Sequence, residues 1–196
     1  MAPPDQSDPA SHRTRLLEGI AQAVADKGYA DATIADIVRE AGVSRRTFYE
    51  HFATRADCFI ALYEAANRNT LAVLRQAIDP AQDWQTQLDQ ALVAYLGSMA
   101  QNPALLRSLS IEILGLGADG MAARRRVNEE LCRFMLQVVN AGSARPRKAP
   151  LTHEMAVAVV GGINEMVLRA IEQGRAGQLE QLAGPAGELV RAVTRG

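Results

Sequence analysis

An all-α fold of about nine helices is what this sequence predicts, and three observations carry that expectation. Apolar residues recur at spacings of three and four, as in Leu16, Ile20 and Val24, with Leu17, Ala21 and Ala25 in the neighbouring row. Helix start signals (Thr-x-x-Asp, Asp-Pro, Asn-Pro) precede these runs. No alternating pattern longer than four residues reads as a strand, and no internal repeat is present. The 196 residues are 48% hydrophobic, enough for one large domain or two small ones and too many for wholesale disorder. Net charge is -1, so any positive charge for a nucleic-acid partner must be placed locally.

In chain order, the Pro- and Asp-rich opening MAPPDQSDPA has neither the positive region nor the apolar stretch of a signal peptide, and residues 1–11 are expected to be disordered. Residues 12–28 form a first helix ended by Gly28, with Tyr29 and Ala30 packing under the next two helices. Thr33 caps a short helix through a box with Asp36, and Ile37 and Val38 face a core. Gly42 suits the left-handed position after that helix, and Val43 the contact beyond it. Ser44 caps a second short helix built on Phe48, and Thr54, with Asp57, caps a third.

Long helices are then expected over 55–78 (inner face Phe59, Leu62, Tyr63, Leu71, Leu74) and 80–101, started by Asp79-Pro80. A shorter one comes next at 103–114, then a Gly-rich loop at 115–120 and a helix at 121–141. A polar loop at 142–150 precedes an apolar helix at about 152–174. The last helix, about 178–194, is expected to kink or break at GPAG, 184–187.

Two short capped helices joined by a four-residue turn with Gly are the helix-turn-helix signature. With that motif at the N-terminus and long helices behind it, the chain resembles the TetR/AcrR family of bacterial transcriptional regulators. The resemblance is specific over residues 13–62 and rests on Gly28, Thr33, Ile37, Ala41-Gly42-Val43-Ser44, Arg45-Arg46-Thr47-Phe48-Tyr49, His51-Phe52 and Arg55. Beyond residue 62 only helix number and length match. Two positions depart: Val38 stands where the family usually has a small Ala, and Arg55 where it usually has Lys. The resemblance implies an N-terminal three-helix helix-turn-helix DNA-binding domain (12–54), then a helical ligand-binding and dimerisation domain (55–196).

Helix 44–51 is then expected in the major groove of an operator, its first turn against the bases. Arg45 and Arg46 can each take guanine O6 and N7 with two donors, or grip a phosphate. Thr47 can meet a thymine methyl or a phosphate. The resemblance implies backbone phosphate contacts for Tyr49 and His51, and for Thr33 and Arg55 at flanking helix starts, where free N–H groups such as that after Ser44 also favour anions. Three Arg against one Glu make residues 44–55 locally +2. Arg124, Arg125 and Arg126 fan over roughly 200° of helix and cannot form one patch. A salt-bridged outer face with Glu129 and Glu130 is the favoured account over a second DNA contact or an anion site.

Family members bind small molecules between the long helices, which makes Trp84, Tyr95, Met99, Phe134 and Met135 candidate ligand contacts as well as core. Glu112 and Asn164 are the polar candidates among apolar neighbours, and the expected effector is largely apolar. The helix at 152–174, with Met155, Val159, Gly161, Gly162, Ile163 and Met166, suits an intersubunit four-helix bundle about a two-fold axis, or close packing within one subunit. Mid-helix Gly costs about 1 kcal/mol relative to Ala, so a close approach should offset it. His153 can be a ligand-pocket or interface residue, and His12 is expected in solvent.

Enzymatic chemistry finds no support in the inventory: with three His there is no HExxH, no Glu-x-x-His pair, no GxGxxG and no phosphate-binding loop. No cofactor or metal is called for. Cys58 and Cys132 read as small apolar residues or, less economically, a redox sensor, and their usage fits a reducing cytoplasm. The expected function is a ligand-responsive DNA-binding repressor. The competing reading is a helical ligand-binding or interaction protein with little DNA-binding activity.

Overall fold

In the computed structural model, residues 9–79, 81–141 and 150–194 are described. They form nine α-helices and no strand. These are α1 (Pro9–Asp31), α2 (Ile34–Ala41), α3 (Arg45–His51), α4 (Arg55–Gln76), α5 (Trp84–Ala100), α6 (Pro103–Gly115), α7 (Gly117–Ala141), α8 (His153–Glu172) and α9 (Ala183–Thr194), with a 3₁₀ segment at Ala176–Leu182. No described helix is long and apolar enough to cross a membrane. The chain divides into two compact units, one drawn from Met1–Ala66 with Ala104–Met121, the other from Asn67–Pro103 with Ala122–Gly196.

In the first unit, α1 starts at Pro9, so residues 9–11 are helical and not part of a tail; the stretch before them lies outside the described residues. Leu16, Ile20 and Val24 are fully buried, as their spacing requires. Gly28 breaks the helix with φ 78°. Tyr29 then turns inward against Phe59, ring centroids 4.4 Å apart, while Ala30 stays exposed. On α2 Ile37 is buried and Val38 only half-buried, its carbonyl accepting from the Val43 N–H at 3.1 Å.

The stretch 115–120 is not a loop. The chain turns at Leu116 alone, and α7 begins at Gly117, four residues before the expected start. Packing explains Gly120, where a Cβ would lie 1.9 Å from the Ile113 carbonyl oxygen, and Gly117 takes the left-handed φ of 64° at the turn. Gly117 and Gly120 thus serve a close helix–helix corner.

In the second unit, α5 begins at Trp84 and not after Asp79. Asp83 accepts from the Gln85 and Thr86 N–H groups and from Thr86 Oγ1, the last at 2.6 Å. Those bonds, Thr86 first, hold its carboxyl below the usual range. Asp79 instead closes a turn, accepting from Ala81 N–H at 2.9 Å. The start signal at Asp79-Pro80 goes unused because Asp83, a second capping residue just beyond it, opens the helix. Pro80 and the expected loop at 142–149 lie outside the described residues. Asn140 bonds both backbone groups of Leu151, at 2.8 and 3.1 Å. Near the end, GPAG opens α9 and does not interrupt it; Pro185 sits in the first turn, where its missing N–H costs nothing. Gly162 lets α8 approach α9: a Cβ there would lie 2.9 Å from Leu189 Cδ2.

Candidate nucleic-acid interface and ligand cavity

The DNA-facing candidate is assembled by local bonds that the sequence spells out. Thr33 Oγ1 accepts from Asp36 N–H at 3.2 Å, and Asp36 Oδ2 accepts from Thr33 N–H at 3.0 Å, closing the capping box. Gly42 takes φ 60° and ends α2. Ser44 Oγ accepts from Thr47 N–H at 3.0 Å, and the two hydroxyls bond each other at 2.9 Å. Phe48 is fully buried and pins α3 to the unit. Its neighbours then have one direction left: Arg45 and Arg46 are exposed, and Tyr49 is 54% exposed, unusual for an aromatic side chain.

Thr47 and His51 are half-buried, Ser44 and Thr33 exposed. Arg45 makes no ion pair among the described residues, whereas Arg46 Nε meets Glu50 Oε1 at 3.1 Å.

Several residues supporting this surface escaped sequence reasoning. Arg15 of α1 donates to the Gly42 carbonyl at 2.7 Å and so clamps the turn. Lys27 and Arg39 both reach Asp36 Oδ1, at 2.7 and 3.0 Å. The Lys27 bond first, and then Thr33, hold the Asp36 carboxyl well below the usual range. His12 is half-buried rather than in solvent, edge-on to His51 with centroids 6.4 Å apart. The Arg15–Gly42 contact joins residues 27 apart, which leaves no short-range signal by which Arg15 could be found.

Arg55 occupies a scaffolding position. Its Nη1 donates to the carbonyls of Tyr29 at 2.9 Å and of Ala30 and Ala32, and its guanidinium lies 4.3 Å from the Tyr29 ring centroid. It ties the end of α1 to the start of α4. Arg55→Ala is expected to destabilise the protein by about 1.5–3 kcal/mol, the range for hydrogen bonds to a charged group. Arg55→Lys, lacking the planar fork, should recover only part. Urea melts of the three proteins decide it; an unchanged midpoint for Arg55→Ala would restrict Arg55 to surface contacts.

The second unit holds a cavity of about 110 Å3. It is walled by α4, α5, α7, α8 and α9, and Trp84, Tyr95, Phe134, Met135 and Asn164 all line it. Met99 does not, and Glu112 belongs to the first unit. Among the described residues no charged side chain lines it; Gln87 and Asn164 supply amides among aliphatic and aromatic groups. Asn164 Nδ2 donates to Asn128 Oδ1 at 3.1 Å. Arg75 stands 5.6 Å from the centroid of the Phe134 ring.

On α8, Val159 and Ile163 turn toward this cavity, whereas Met155 and Gly161 are exposed and Gly162 and Met166 half-exposed. His153 faces Glu129 at 3.5 Å and does not line the cavity. Glu129 also pairs with Arg133, at 3.5 Å. Cys58 and Cys132 are buried; burial pushes the Cys58 thiol up to about 12 and raises that of Cys132, which keeps both protonated and unreactive.

Comparison with known proteins agrees with this geometry. Residues 16–62 match the family model for bacterial regulatory proteins, tetR family. The chain is 24% identical over 146 residues to the nucleoid occlusion factor SlmA of Marinomonas sp. (strain MWYL1), covering 74% of this chain and 73% of that protein. Among solved structures, FadR from Bacillus subtilis in complex with stearoyl-CoA superposes with TM-score 0.71 at 16% identity, covering 90% and 96% of the two chains. A TetR-like transcriptional regulator from Rhodococcus sp. RHA1 gives 0.61 at 17% identity, covering 98% of each. The matched segment, residues 16–62, is the one that carries the capped turn and the exposed Arg45, Arg46 and Tyr49, so the N-terminal region is similar to that of the tetR family of bacterial regulatory proteins, and the fold of the chain is that of these solved structures.

Proposed function

We propose that the protein is a homodimeric repressor that leaves its operator when a small, largely apolar molecule occupies the cavity of the second unit. The observation that carries the DNA half is α3. Its one buried aromatic fixes the helix, and its remaining surface presents Arg45, Arg46 and Tyr49 to solvent. Two such helices enter successive major grooves when about 34–36 Å apart, which requires a dimer. The exposed Met155 and Gly161 on α8 suit an isologous interface.

The uncharged cavity lining supports the ligand half, since an apolar site takes a molecule that brings no unpaired charge. The structurally similar FadR was solved with stearoyl-CoA, so acyl compounds are the first class to screen. The ligand acts by its differential affinity for the DNA-competent and released conformations. Cytoplasmic location goes with this role.

Tyr49→Ala is expected to weaken binding to all duplexes by about fivefold, the value of one hydrogen bond of about 1 kcal/mol. Arg45→Ala should cost about 1–3 kcal/mol and relax preference at one base pair. Gel shifts on a small operator library separate the two. A binding constant to random duplex that does not fall steeply with salt would favour the competing reading, a ligand-binding protein with little DNA-binding activity.

A further inference from the structure

The recognition surface contains one side chain of the wrong sign. Glu50 lies on α3, 54% exposed, and its Oε1 accepts from Arg46 Nε at 3.1 Å, with Arg46 itself 89% exposed. At about 100° per residue, Arg46 and Glu50 each lie about 20° from the direction opposite Phe48. They are therefore the outermost ridge of the helix. Arg45 and Tyr49 flank it on one side, and the half-buried Thr47 and His51 on the other.

A carboxylate carried into a groove walled by phosphates is repelled on every sequence. The base edge that offsets this is the cytosine N4 amino group, a donor in the major groove. Arg46, held through Nε, keeps its two terminal nitrogens for guanine O6 and N7. Side chains four apart on a helix stand about 5–6 Å apart, which spans one to two base-pair steps.

We propose that Glu50 is a specificity-determining residue: it aims Arg46 at a guanine and, with its second oxygen, accepts from a cytosine N4 amino group in a neighbouring base pair. This rests on α3 being the recognition helix. On non-operator DNA the carboxylate finds no donor and lowers affinity, so the residue works chiefly by rejecting wrong sites.

The test takes the full chain through selection of bound sequences from a random duplex pool. Affinities of wild type, Glu50→Gln and Glu50→Asp are then measured on the selected operator, on its single base-pair variants and on random duplex at one salt concentration. Wild type should prefer cytosine at one position by about tenfold. Glu50→Gln should reduce that preference below about threefold while tightening random-duplex binding about three- to tenfold. Glu50→Asp keeps the charge but shortens the reach, so it should retain the weak random binding and lose the preference.

An unchanged cytosine preference in Glu50→Gln would overturn the proposal, as would an equal loss on all sequences with a lowered melting temperature. A wild-type protein that selects no sequence removes the recognition-helix reading and this inference together. Operator selection that survives with silent Glu50 variants leaves that reading standing and removes only the inference.

Discussion

Gly19→Ala is expected to lower the melting temperature and loosen the DNA-binding unit, while the same substitution at Gly161 raises it. Gly19 lies where α1 crosses α2. A Cβ there would stand 2.6 Å from the Ile37 carbonyl oxygen, 2.9 Å from the Ala41 nitrogen and 3.1 Å from Ala41 Cβ. Two of these are backbone atoms of a capped helix and cannot rotate away, so α1 and α2 must separate. Overpacking of this kind costs about 1–3 kcal/mol, and the first contact is short enough to take the upper end. Alanine returns about 1 kcal/mol through helix propensity, which leaves a net loss of about 2 kcal/mol.

At Gly161 nothing in the same chain lies within 4 Å of the added Cβ, so within one protomer only the propensity gain remains. In a protein of this size each kcal/mol moves the melting temperature by about 2–4 °C. Hydrogen exchange localises the Gly19→Ala effect: amides of α1–α3 should exchange faster, those of α8 should not. Equal melting temperatures for the two variants would show that α1 and α2 are not held at this distance. If Gly161→Ala stabilises the fold yet promotes dissociation of the dimer in sedimentation, the exposed face of α8 is the interface.

Ala91→Phe should abolish the response to effector while leaving operator binding within about threefold of wild type, a change of under 1 kcal/mol. Ala91 is buried on α5 and lines the cavity beside Leu88, Leu92 and Tyr95. A dry apolar cavity of about 150 Å3 accepts benzene, so a phenyl group is on the scale of the space of about 110 Å3 found here. The ring would exclude the ligand by taking its space without the ligand's differential affinity for the released conformation, at a stability change of no more than about 1–3 kcal/mol. Ala91 lies in the second unit and the operator-facing residues of α3 in the first. Operator titrations with an effector found by thermal-shift screening read the outcome. Release of the Ala91→Phe protein by effector at wild-type concentration would show that the ligand binds elsewhere.

Both variants act at places that differ in how much the amino-acid order reveals. The capped turn is legible because each of its bonds closes within three or four residues: Thr33 to Asp36, Ser44 to Thr47, Thr54 to Asp57. Helical spacing likewise places Leu16, Ile20, Val24 and Phe48 inside. Where two signals compete, sequence chooses by composition alone, reading Asp79-Pro80 as a start and GLGADG as a loop. The structure instead begins α5 after Asp83 and uses Gly120 to seat one helix against another.

Local chemistry therefore sets the helices, their caps and the side chains α3 exposes, since those depend on neighbours along the chain. Folding in three dimensions alone decides that Arg15 clamps Gly42, that Arg55 closes on the end of α1, and that Gly19 is a point of contact. It also decides that five separate helices enclose an uncharged cavity. Each of these joins residues distant in sequence, whose meeting is fixed by close packing, and no local pattern encodes it.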